Sequence, residues 1–212
     1  RQAVPPARIS ARYRTPRYRR PARPVPAPGA RPPARGTQSM RPQRKEGNFK
    51  MDILDDLLMK MISYNSGDPK RIQHLIKVHS FARLIGLSEN LESDTQFILE
   101  AAAIVHDIGI KPAEEKYGYC NGKLQEQEGP EPAEKLLRSL GFRASVVDRV
   151  CYLVGHHHTY SDVDGLDYQI LLEADFLVNL FEEGLEPEAA DAAYHNIFRT
   201  ETGKRICEEM FF

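Results

Sequence analysis

From residue 53 onward the apolar residues recur at helical spacing almost without interruption. Leu54, Leu57, Leu58, Met61 and Ile62 form the first stripe. "SGDP" at 66–69 then reads as a turn, with Asp68 as N-cap and Pro69 in the first helical position. The next stripe, His74, Val78, Phe81, Ala82 and Ile85, predicts a helix over 69–86, with Gly86 as its stop. A further helix, capped at Ser93 or Asp94, runs through the near-continuous apolar stretch "ILEAAAIVHDIG" to Gly109, and "IKP" (110–112) opposes its continuation. Residues 112–130 lack a stripe and read as a loop or lid, of a length that usually signifies function. "PEPAEKLLRSLG", "SVVDRVCYLVGHHH" (capped near Ser145) and "LDYQILLEADFLVNLFEEG" are helices, with "SDVDG" a turn between the last two. "EPEAADAAYHNIFRTETG" and "KRICEEMFF" close the chain. No strand alternation or repeat stands out, so the expected class is all-α, six or seven helices in a single domain over 51–212.

Charge divides the chain. Residues 1–50 hold 14 of the 29 Lys and Arg, one acid and ten of the 15 prolines, a charge of +13, while the remainder carries −14. Such an Arg/Pro-rich segment is expected to be disordered and extended. Three readings compete for it: a basic nucleic-acid tail, an organellar targeting extension, or a segment foreign to the native product. The last follows from a chain that begins at Arg1 and a stretch "MDILDDLLMKMI" at Met51 that looks like a natural start. No apolar window reaches the ~18 residues of a membrane span. Three widely spaced cysteines, Cys120, Cys151 and Cys207, argue for a reducing compartment, hence a cytoplasmic protein without membrane contact.

The chemistry lies in polar residues that interrupt apolar faces. His74 shares a helix face with Val78 and Ala82, whereas His79 is one residue off it and expected to be exposed. His106 and Asp107 end an apolar helix, where a carboxylate meets the negative end of the helix dipole; a bound cation reverses the sign of that conflict. Asp175 is flanked on its face by Leu171, Leu172 and Val178 and needs a positive partner, while Glu173 points elsewhere, toward solvent. In His156-His157-His158, His157 continues the row 146/150/153 and His158 the row 147/151/154. Imidazoles and carboxylates without thiolate spacing form a nitrogen/oxygen site for Mn, Fe, Co, Ni, Zn or Mg, with ligands drawn from separate helices.

His74, His106-Asp107 and Asp175, in that order on successive helices, resemble the HD superfamily of metal-dependent phosphohydrolases. The likeness spans Asp68 to Phe181 and is carried by "HLIKVHSFA", "AAAIVHDIG" and "EADFLV". It implies that His74, His106, Asp107 and Asp175 are metal ligands, with Asp107 best placed to bridge if two metals bind. His156 and His157 match later histidines of two-metal relatives. An earlier histidine is missing, and Glu128 stands near its place. Many relatives have lysine directly after the glycine of the HD segment; here Ile110 intervenes before Lys111.

The resemblance further implies hydrolysis of a nucleotide or other small phosphate ester, with water made acidic, to a pKa of about 7, by one or two divalent metals. Asp107, Glu128 or His156 would handle protons. Lys111, Lys116, Lys123 and Arg71 would steer the anionic substrate. Specificity would lie in residues 112–130 and 159–166. Two other classes share the ligand set: a di-iron oxygenase of HD type and a non-catalytic regulatory module that binds metal or nucleotide. A small phosphorylated substrate is favoured over nucleic acid as the partner; the oligomeric state is not encoded in any feature of the sequence.

Overall fold

The computed structural model describes residues 52–184 and 187–212. The expected disorder of residues 1–50 lies outside the described residues. Among the described residues the chain is all-α, with no strand. Its elements are α1 Ile53–Tyr64, α2 Pro69–Ser88, α3 Ser93–Val105, a 3-10 turn His106–Gly109, α4 Ile110–Tyr117, α5 Gly122–Glu128, α6 Pro130–Ser139, α7 Ala144–Val154, α8 Leu166–Glu182, α9 Pro187–Asn196 and α10 Glu201–Phe211. No described helix is long and apolar enough to cross a membrane.

The centre of the bundle is α3, packed against α2, α7, α8 and α1. Its run Ala101–Val105 is buried all round. Five small or branched side chains in succession let neighbouring helices approach from every direction, which is why no amphipathic stripe marks this helix. The α2 and α8 pair meets beside it. From α2, Val78, Ala82 and Ile85 face inward; from α8, Leu171, Ala174 and Val178 do. Each large side chain fully buried here contributes roughly 1.5–3 kcal/mol by transfer from water.

Several boundaries differ from the sequence reading. Asp68 does cap α2, accepting from the Arg71 amide at 3.0 Å. Gly86, however, does not stop that helix. It is buried within it, and a Cβ there would lie 2.2 Å from Gln96 Oε1 and 2.9 Å from Leu99 Cδ2, so glycine lets these α3 side chains pack directly on α2. The stretch 112–130 is not a loop but α4, α5 and the start of α6. Gly118, at a φ of 77°, ends α4, and the Asn121 side chain caps α5 by accepting from Leu124 N at 3.0 Å. These helices escape periodicity because α4 buries only Ile110 and Ala113, and α5 buries nothing. With α9 they raise the described count to ten α-helices.

Glu173 is not solvated. Its carboxylate is fully buried and accepts from Arg199 N at 2.6 Å, Thr200 N at 2.9 Å, Thr200 Oγ1 at 2.5 Å and Gln169 Nε2 at 2.8 Å. Its negative charge faces the amides that open α10, where the helix dipole favours it. His79 is likewise more enclosed than its position off the stripe suggests, bonding Glu100 at 3.1 Å.

Candidate metal centre

Adjacent α-helical residues point about 100° apart, yet His106 and Asp107 face the same place. The chain achieves this by tightening: α3 ends at Val105, and 106–109 continue as a 3-10 turn. His106 folds back so that Nδ1 donates to the Ala103 carbonyl at 2.9 Å. That bond turns Nε2 inward, toward His74 Nε2 at 3.3 Å. Asp175, projecting from α8, places Oδ1 at 3.1 Å from His74 Nε2 and 3.5 Å from His106 Nε2. Neither contact is aligned as a hydrogen bond, and Asp175 Oδ1 is a buried oxygen without a hydrogen-bond partner. Asp107 Oδ2 completes the group at 3.5 Å from His74 Nε2 and 3.6 Å from His106 Nε2.

Asp107 reaches a second set with its other oxygen. Oδ1 lies 3.6 Å from His157 Nε2, and Asp107, His157 and His158 form a donor group of their own. The side chain of Asp107 is a quarter exposed, whereas His106 has no exposure and Asp175 only 7 %. The HD pair is therefore the place where a buried donor set meets solvent.

Charge among these side chains is balanced internally. Burial disfavours a charged His74, but the carboxylates of Asp175, Glu182 and Asp107 outweigh it and push its pKa up to about 10. Burial likewise works against ionised Asp107 and Asp175, and the imidazoles beside them prevail, holding both well below the usual carboxylate range. His158 is pushed down to about 3, by burial first and by His157 next. A divalent cation would take over the role of the imidazolium protons, and three features of the donor set fit one. The orphaned Asp175 oxygen gains a partner. The Nδ1 atoms of His74, His106 and His157 are each committed to an oxygen, which leaves Nε2 to the centre. No sulfur atom joins the described donor groups, which suits a nitrogen/oxygen ion.

Glu182 is the outer partner of His74: its Oε2 accepts from Nδ1 at 3.1 Å, and Lys77 Nζ holds Oε1 at 2.9 Å. It lies two helical turns beyond Asp175 on α8, so one helix supplies both an inner carboxylate and the carboxylate that orients a neighbouring ligand. Glu182→Gln is expected to weaken binding of a divalent cation about 10–100-fold. Isothermal titration with Mn²⁺ checks this, and unchanged affinity would make Glu182 a surface pairing only.

Not every residue singled out from the sequence faces this centre. His156 does not: its Nδ1 donates to the Tyr152 carbonyl at 2.7 Å and its ring stacks on Tyr152, 4.2 Å between centroids. His158, which was not among the expected ligands, stands in the donor group instead. Glu128 is also turned aside, accepting from Tyr117 Oη at 2.8 Å and Lys116 Nζ at 3.0 Å. Its expected place is taken one turn earlier on α5 by Gln125, whose Oε1 is 3.0 Å from His158 Nε2. Among the basic residues, Lys116 is thus occupied by Glu128, Lys111 Nζ donates to the Tyr64 carbonyl, and Lys123 is exposed on α5. Arg71 alone of the four is fixed near Asp107, clamped by Glu114 at 2.6 Å and Asp68 at 3.3 Å.

A helical bundle whose helix ends bring imidazoles and carboxylates together in this way has the donor set of a divalent-metal domain. The HD domain family model matches residues 71–201, which include every donor described above, and the chain belongs to that family. It is also similar to the crystal structure of a predicted HD superfamily hydrolase from an uncultured Thermotogales bacterium, at 27% identity and a TM-score of 0.51. That likeness covers 74% of this chain and 82% of the other. No curated protein matches the chain.

Proposed function

We propose that the protein is a metal-dependent hydrolase of small phosphate esters, with nucleotides the first class to test. The observation that carries this reading is the convergence of His74, His106, Asp107 and Asp175 on one point from α2, the 3-10 turn and α8. These four side chains would hold the first cation. When bound, a divalent ion supplies Lewis acidity, acidifying water and neutralising charge on phosphoryl oxygens.

The remaining tasks fall to the chain itself. His106, His157 and His74 are kept in one orientation by Ala103, Val154 and Glu182, so the donors are set before substrate arrives. Asp107, ionised and partly open to solvent, is the carboxylate placed to orient an attacking water. Arg71, held by Asp68 and Glu114, is the one of the four basic residues singled out from the sequence whose charge is felt at Asp107, and would help to draw in an anionic substrate. Tyr160 lies behind His158, its hydroxyl 3.5 Å from Nδ1 and its ring against Phe176.

The test is a screen of nucleotides, phosphomonoesters and phosphodiesters with protein loaded in turn with Mn²⁺, Co²⁺, Fe²⁺, Zn²⁺ and Mg²⁺. Phosphate release that EDTA abolishes is the expected result. A broad panel left untouched, with His106→Ala behaving as the parent protein, would sink the proposal.

A further inference from the structure

We infer that Tyr64 is a positioning residue for the metal centre: its hydroxyl stands in for the backbone amide that Pro112 lacks, and so fixes the turn that carries His106 and Asp107. This inference rests on the centre being the metal site proposed above. It begins with a proline. "IKP" (110–112) opposes a helix, yet the chain runs on from the 3-10 turn 106–109 into α4, with Pro112 in its first turn. Proline fits there, but it has no N–H to return to the carbonyl four residues back. That carbonyl belongs to Ile108, the residue after Asp107. Ile108 is only 1 % exposed, so water does not supply a donor, and a buried carbonyl without one is costly. Tyr64 supplies it from α1, its hydroxyl donating to the Ile108 carbonyl at 3.1 Å.

This bond is one half of a clasp. Tyr64 is the last residue of α1, and its own carbonyl is among those that a helix end leaves without an amide. Lys111 Nζ donates to that carbonyl and lies 4.8 Å from the centre of the Tyr64 ring. A cation there also suits the negative end of the helix. Each partner gives a side-chain proton to a carbonyl that the other's helix cannot satisfy. Lys111, expected at the substrate, is engaged in this clasp instead.

What the clasp fixes is the backbone beneath Asp107. The Asp107 carboxylate meets His74, His106 and His157 at 3.5, 3.6 and 3.6 Å, too long for firm hydrogen bonds, so its place follows from its backbone. On the amino side the turn is anchored by His106 Nδ1 on the Ala103 carbonyl. On the carboxyl side it is anchored by Tyr64 on the Ile108 carbonyl. Without that hydroxyl the Ile108 peptide is free to rotate away from the Pro112 ring, and Asp107 turns with it. Tyr64 is not itself among the donors, so it acts through the turn.

Tyr64→Phe keeps the ring that packs on the core, and the variant should fold. Isothermal titration of the full chain with Mn²⁺, with melting curves on the same samples, tests the inference. Tyr64→Phe should weaken Mn²⁺ binding about tenfold, the low end of what partners outside a donor set contribute. Adding Pro112→Ala to Tyr64→Phe should restore most of that loss, because it returns an N–H to residue 112. A hydroxyl with a merely structural role would lower the melting temperature and leave the Mn²⁺ affinity of the folded protein where it was. Parent affinity in Tyr64→Phe, or a loss that Pro112→Ala leaves in place, would overturn the inference while the metal reading stands. A parent protein that binds no Mn²⁺ would overturn the metal reading of the centre, and this inference with it.

Discussion

Asp107→Asn should remove metal and turnover together. The substitution keeps shape and takes away one charge, at a side chain whose two oxygens face different donor sets: Oδ2 toward His74 and His106, Oδ1 toward His157. Outer-sphere partners of metal ligands are worth about 10–100-fold in affinity, so a carboxylate inside the donor set should exceed that range. We expect metal affinity to fall more than about 100-fold, and phosphate release at saturating metal to fall about 1000-fold or more. Metal analysis after dialysis and a phosphate-release assay check the two numbers separately. Retention of metal and turnover within about tenfold of the parent would show that Asp107 is not an inner ligand. Asp107 is a better probe than His106, because it is partly exposed and can be changed without emptying a buried space.

Gly109→Ala should have the largest effect among small substitutions outside the donor set. A Cβ at residue 109 would meet Gln125 O at 2.5 Å, Gly129 N at 2.8 Å and Gly129 Cα at 2.9 Å. All three are backbone atoms, which cannot rotate away as a side chain would. Gly129 has no room to give: a Cβ there would sit 2.6 Å from Val154 Cγ1. Relief requires α5 to move away from the HD turn. Overpacking costs about 1–3 kcal/mol where side chains can adjust, so roughly 3 kcal/mol is expected against backbone. For a domain of this size that lowers the melting temperature by roughly 6–12 °C. The same displacement carries Gln125 away from His157 and His158 and breaks its contacts with both rings. Thermal melting tests this, and a variant melting within about 2 °C of the parent would contradict the close contact.

The first donor group was readable because each member breaks a local rule. His74, His106, Asp107 and Asp175 are polar residues on faces that every neighbour marks as buried, and the only economical account of all four is a shared cation. Gln125 breaks no rule. It stands in "KLQEQE", on a helix that buries nothing, and its approach to His157 and His158 depends on a backbone contact with Gly109 that no spacing encodes. Glu173 misled for a related reason, since its partners are main-chain amides at 199 and 200, one helix and a turn away. Between His156 and His158 the choice turned on where α7 stops. The helix ends at Val154, and in the turn that follows the rings no longer keep helical positions. The expected pair was His156 and His157, and the turn instead brings His158 beside His157.

His106 and His157 share a device: each gives its Nδ1 proton to a carbonyl three residues back, in the last turn of α3 and at the end of α7. Those carbonyls lie where a helix runs out of amide partners. One bond thus aims a ligand and closes a helix end, so the two histidines answer to folding as well as to chemistry. A descendant of this protein that abandoned the reaction would still be under pressure to keep both. The carboxylates at 107 and 175 carry no such second duty and would be first to drift. In comparing relatives of this chain, the aspartates are therefore the better witnesses of living activity, and the histidines the better witnesses of shared architecture.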